Sequence, residues 1–119
     1  MTALECLRAA ESAGDEYQRP INVFIDAFRR AGLREREQLV RDPILNSGSM
    51  EGLVPAVVSA LCRETGTPTP SWTEGIHGPR PFFALPARTF AMRLRLMVES
   101  PVAFRIRNVF VSADSLSRA

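Results

Sequence analysis

The sequence predicts a mainly α-helical single domain over residues 1–119, a small helical bundle with a long Pro-rich connection and a basic C-terminal segment, with room for one short strand. Three observations carry this. Ile21, Phe24, Ile25, Phe28 and Ala31 recur at i, i+3, i+4, i+7 and i+10, the spacing of a core-facing helix. Further helical patterns fill most of residues 1–64, the helical body. Residues 65–86 hold five Pro and three Gly, too many for a regular element.

In chain order, Thr2 and Glu5 form a T-x-x-E capping box, which starts a helix over 3–13 with Leu4, Leu7 and Ala10 on one stripe. Gly14 stops it. Pro20 suits the first turn of the second helix, and Gly32 is expected to end that helix as a C′ glycine. A third piece over 33–41, LREREQLVR, can turn only Leu33, Leu39 and Val40 inward, and Asp42-Pro43 should terminate it. After a polar loop over 46–49, Ser49 is a candidate N-cap for a helix running through Glu64. Pro55 moves its expected start toward Val54, with Leu53, Val57, Ala60 and Leu61 facing the core. The connection contains Trp72, Phe82 and Phe83, so it should wrap over the body and be pinned by those rings.

The segment 87–119 is harder to assign. Over 88–98, Phe90, Leu94, Met97 and Val98 fit a helix, whereas Met92, Leu94 and Leu96 alternating with Arg93 and Arg95 fit a strand. Arg, Leu, Met and Ala favour the helix. Ser100-Pro101 then resembles an N-cap followed by Pro at N1. Either a short helix over 102–107 or a strand through FRIRNVFV can follow, and 109–111 could add a short strand. Ser112 is a candidate cap for a last turn.

Charge is polarised along the chain. Residues 1–74 carry eight Arg against eleven acids, net −3, and residues 75–119 carry seven Arg against two acids, net +5. Lys is absent. A coding bias accounts for this, and Arg also suits bidentate contacts to carboxylate or phosphate. The total of +2 is too small to imply nucleic-acid binding by itself. The N-terminus lacks the apolar stretch of a signal peptide, and no apolar run reaches the roughly 18–20 residues of a membrane span, so a cytoplasmic protein without membrane contact is expected. Cys6 and Cys62 lie among apolar residues and read as buried free thiols.

Nothing resembles a catalytic site. His77, the single histidine, sits in GIHGP with no carboxylate or Cys at ligand spacing. No Ser or Cys lies in a nucleophile context, and there is no phosphate-cradling glycine loop. No enzyme activity, catalytic residue, metal or cofactor is therefore expected. Glu35 and Glu37 read as a solvated face. The two helices meeting at Ala31-Gly32-Leu33 invite comparison with a helix-turn-helix, but Glu35 and Glu37 would oppose phosphate beside Arg34, Arg36 and Arg41.

The basic segment is the candidate binding region. Phe104, Arg105, Arg107, Asn108 and Phe110 are the candidate partner-binding residues, because Arg and aromatics together dominate binding hot spots. On this reading, replacing Arg105 and Arg107 by Ala would leave folding stability nearly unchanged. Arg88, Arg93 and Arg95 are the candidate nucleic-acid contacts, with the Phe rings as stacking platforms.

One family resemblance rests on these residues. Pro70 and Trp72, then Leu85, Pro86 and Arg88, then V-E-S-P-x-A-F-R-x-R-N-V-F-V from Val98 to Val111 are similar to a group of small actinobacterial proteins; Arg41-Asp42-Pro43 also matches. The resemblance is close over 99–111 and loose elsewhere. Members are often encoded beside a nucleotidyltransferase-type protein and look like the antitoxin half of a toxin–antitoxin system. The resemblance implies protein–protein interaction with such a toxin. A small nucleic-acid-binding transcriptional regulator is the alternative.

Overall fold

A computed structural model describes residues 1–44, 52–74, 76, 81–84 and 88–117. The protein is mainly α-helical, with one two-stranded parallel sheet among the described residues. Helix α1, Ala3–Ala13, starts at the expected capping box: Glu5 N–H donates to Thr2 Oγ1 at 3.2 Å, and Thr2 N–H donates to the Glu5 carboxylate at 3.0 Å. It ends at Gly14, and a 3-10 turn, Gly14–Glu16, leads into α2, Gln18–Arg30. The apolar stripe of α2 faces inward, with Ile21, Phe24, Ile25 and Phe28 buried. Each such side chain withdrawn from water contributes about 1.5–3 kcal/mol.

Gly32 follows the C-cap Ala31 and so occupies the expected C′ position after α2. It has φ −78° and ψ 171° and caps the start of α3, Leu33–Leu39. A left-handed glycine is unnecessary because Arg36 reaches back to the end of α2. Its Nε donates to Phe28 O at 3.0 Å and its Nη2 to Arg29 O at 2.9 Å, while the guanidinium lies 5.7 Å from the Phe28 ring centre. Leu33, expected inside, is 55% exposed, whereas Val40 is buried and Leu39 packs on the core. The helix ends at Leu39, ahead of Asp42-Pro43.

Helix α4, Leu53–Thr65, is the central element. It is buried on nearly every side, from Leu53 through Ser59 and at Leu61 and Cys62, with Ala60 partly covered. It packs against α1, α2 and α6 (Val102–Arg105). Pro55 lies in its first turn, where no N–H partner is lost. Gly66 closes it at φ 71°, a left-handed conformation that suits glycine. The Ser49 cap and the loop before it lie outside the described residues.

The connection is pinned by its rings, as expected. A 3-10 turn, Ser71–Thr73, places Trp72 so that Nε1 donates to Val40 O at 2.8 Å. Strand β1, Phe82–Phe83, pairs in parallel with β2, Val109–Phe110, in the register Phe82 to Val109 and Phe83 to Phe110. Phe82 meets Tyr17 edge-on at 5.4 Å, and Phe83 stacks on Phe110 at 5.1 Å. The segment 88–98 is helical: α5 spans Phe90–Glu99, capped by Thr89.

Ser100 is the C-cap of α5 rather than the N-cap of α6, whose cap is Pro101. Its hydroxyl turns inward instead. It donates to Leu96 O at 2.6 Å and accepts from Val111 N–H at 2.8 Å, tying the end of α5 to the residue that follows β2. Cys6 and Cys62 are free and buried, and burial pushes their thiols up to about 12 and about 11. Among the described residues no helix is long and apolar enough to cross a membrane.

Candidate protein-binding surface

The basic segment folds so that its expected contact residues point in different directions. Phe104 is 1% exposed and belongs to the core between α4 and α6. Arg107 is 5% exposed, with Nε and Nη2 donating to Thr73 O at 3.3 and 3.0 Å and Nη1 to Ala103 O at 2.7 Å. Burial pulls its pKa below the usual guanidinium value, and neighbouring Arg63 adds repulsion. These two residues are therefore occupied in holding the fold, and the structure corrects the expectation that removing Arg107 leaves stability unchanged. Arg105, two positions earlier, is exposed at the end of α6. Asn108 adopts φ 64°, the left-handed turn that swings the chain into β2. Phe110 is half-buried against Phe83.

Arg88, Arg93 and Arg95 are all exposed. Arg93 lies over the Phe83 ring at 5.1 Å, and Arg95 Nε donates to Glu99 Oε1 at 2.8 Å. Both heads are thus held in place at the surface without leaving water.

The feature whose orientation the sequence left open is the apolar stripe of α5. Phe90, Leu94, Met97 and Val98 stand at i, i+4, i+7 and i+8, which puts them on one helix face. That face is exposed: 82% for Phe90, 48% for Leu94, 45% for Met97 and 73% for Val98. No residue of α5 is buried. At roughly 100° per residue, Arg93 falls on one border of the stripe and Arg95 on the other. Beyond α5, Val102 and Ile106 are also exposed, at 53% and 64%. Val102 further borders a cleft of about 360 Å³ between α4 and α6, lined by Ala60, Arg63, Glu64, Pro101 and Ala103. The spacing was visible in the sequence; its outward orientation was not.

The helix-turn-helix comparison also resolves in part. The second helix, α3, has seven residues, and Arg36 is engaged with the end of α2. Arg34, Glu37, Gln38 and Arg41 line a shallow depression of mixed charge. His77 lies outside the described residues. Among the described residues, no group of three or more His, Cys, Asp or Glu is placed to hold a metal ion.

Comparison of the chain with protein-family models, curated proteins and solved structures returns no match.

Proposed function

We propose that this chain is a non-catalytic interaction protein, the antitoxin-like member of a toxin–antitoxin pair, which neutralises a partner protein through its C-terminal segment. The observation that carries the reading is the outward apolar stripe of α5. A stripe of Phe, Leu, Met and Val at helical spacing is what a helix ordinarily buries, and here it is left in water beside several Arg. Exposed apolar area of this kind, rimmed by Arg, suits a protein partner. Of the residues expected from sequence, Arg105, Asn108 and Phe110 remain placed to contribute at the surface, while Phe104 and Arg107 support them from within. The family resemblance supplies the partner class: a nucleotidyltransferase-type toxin, whose metal-binding carboxylates would offer an acidic cleft.

Co-expression with the product of the neighbouring gene tests this. The chain should form a stable complex with that product and restore growth of cells that the product inhibits. No complex and no rescue would contradict the proposal. The alternative, a small nucleic-acid-binding regulator, has Arg88, Arg93 and Arg95 in its favour, all on one exposed helix and its approach. It requires binding that falls steeply with salt and depends on those three residues.

A further inference from the structure

Taking the interaction reading as its basis, we infer that the α5 face receives an amphipathic helix of the partner, apolar along its centre and acidic along both borders. The argument starts from the borders. Between residues 88 and 107 the exposed charges are Arg88, Arg93, Arg95 and Arg105, and the single acid is Glu99, which is engaged with Arg95. A helix laid along Phe90, Leu94, Met97 and Val98 would place its own flanking residues against Arg93 and Arg95.

The same geometry disfavours a second copy of this chain. In an antiparallel pairing of two α5 helices, residues on the same border meet, so Arg93 faces Arg93 and Arg95 faces Arg95. In a parallel pairing opposite borders meet, and Arg93 faces Arg95. Both arrangements bring like charges together at the edge of an apolar seam, which is destabilising. Carboxylates at those positions convert each repulsion into a charge-assisted contact. The guanidinium groups are already oriented, Arg93 over Phe83 and Arg95 by Glu99, so little side-chain freedom is lost on docking.

A lipid surface fits less well. Beyond α5, Val102 is also exposed and borders the α4–α6 cleft. A cleft of about 360 Å³ with Ala60, Pro101 and Ala103 in its lining accepts an inserted side chain, which a bilayer does not supply. Its polar lining carries both signs, Arg63 and Glu64, rather than a basic field.

The test uses the full chain and designed peptides of about 18 residues, long enough to be helical in part. All share a Leu stripe; the border positions are Glu in one, Gln in the second and Lys in the third. Fluorescence anisotropy should rank them Glu, Gln, Lys, with Glu about ten-fold tighter than Gln at low salt and the gap closing as salt rises. Arg93→Gln/Arg95→Gln should equalise the Glu and Gln peptides. Leu94→Asp/Val98→Asp should abolish binding of all three while the circular dichroism and melting temperature stay unchanged. Equal binding by the three peptides, or binding by none, overturns the acidic-helix assignment; neutralisation by the whole chain would then still stand on its own assay. Co-sedimentation with phosphatidylglycerol vesicles that Leu94→Asp/Val98→Asp removes would assign the face to lipid and overturn it. A concentration-dependent dimer that the same change dissolves would assign it to a second copy and overturn it equally.

Discussion

Arg107 holds the carbonyl of Thr73 with two hydrogen bonds, from Nε at 3.3 Å and Nη2 at 3.0 Å, across 34 positions of chain. The contact fastens the Pro-rich connection to the turn after α6. A guanidinium inside the protein without a carboxylate partner would be costly, and here carbonyl oxygens of Thr73 and Ala103 satisfy it.

Arg107→Ala should therefore be strongly destabilising. It strands the buried carbonyl of Thr73 and the partly buried one of Ala103 and opens a void, for a loss of about 3 kcal/mol, on the order of 10 °C in Tm. Arg107→Lys should recover only part, because a single ammonium cannot reproduce the forked geometry. Arg105→Ala, at an exposed position, should change Tm by little. Thermal denaturation of the three variants checks this, and a wild-type Tm for Arg107→Ala would contradict it.

Gly52 precedes α4 and lies against the backbone of the same arginine. A Cβ at this position would collide with Arg107 O and come within 3.0 Å of Val109 Cγ2. Arg107 O belongs to the backbone and cannot swing aside, and Gly52 is the N-cap of α4, where glycine is preferred to alanine, so Gly52→Ala should cost about 1–3 kcal/mol. Urea denaturation reads this directly. The loss should not add fully to that of Arg107→Ala, since the two sites share neighbours.

One ion pair gives a pH dependence with a definite sign. Arg29 contacts both carboxylate oxygens of Glu64, Nη2 at 2.8 Å and Nε at 2.9 Å, and this lowers the Glu64 pKa below its ordinary value. A depressed folded pKa adds stability above the unfolded value, about 4.3, and that stability is lost as pH falls through the lower folded value. Both side chains are partly solvated, so the effect is small, below about 1 kcal/mol. Glu64→Gln should be slightly less stable than wild type at pH 7, and the difference should vanish in acid. A difference that grows as the pH drops would contradict the assignment.

Local signals made much of this fold readable. The Thr2–Glu5 box started α1, and the Ile21–Phe28 stripe placed α2, because each is settled by residues within a turn or two of one another. The helical character of 88–98 followed from propensity in the same way. Orientation was not readable where a distant partner decides it. Arg105 and Arg107 differ by two positions and were expected to share a surface; the carbonyl of Thr73 draws one inward and leaves the other in water. The position of Gly32 after α2 was readable, but its extended backbone goes with Arg36, which satisfies carbonyls at the end of α2 from beyond the turn. The stripe of α5 has the spacing of a core helix, and only the packing of α5 on one side shows that the stripe faces out.

The most direct test of the central claim is to measure stability and partner binding together for Leu94→Ser/Val98→Ser. Both side chains are exposed, Leu94 at 48% and Val98 at 73%, so the melting temperature should stay close to wild type, as is usual for exposed positions. Co-purification with the cognate partner and rescue of growth should both be lost. A double variant that melts as wild type and still binds and protects would show that the α5 face meets no partner, and would contradict the account.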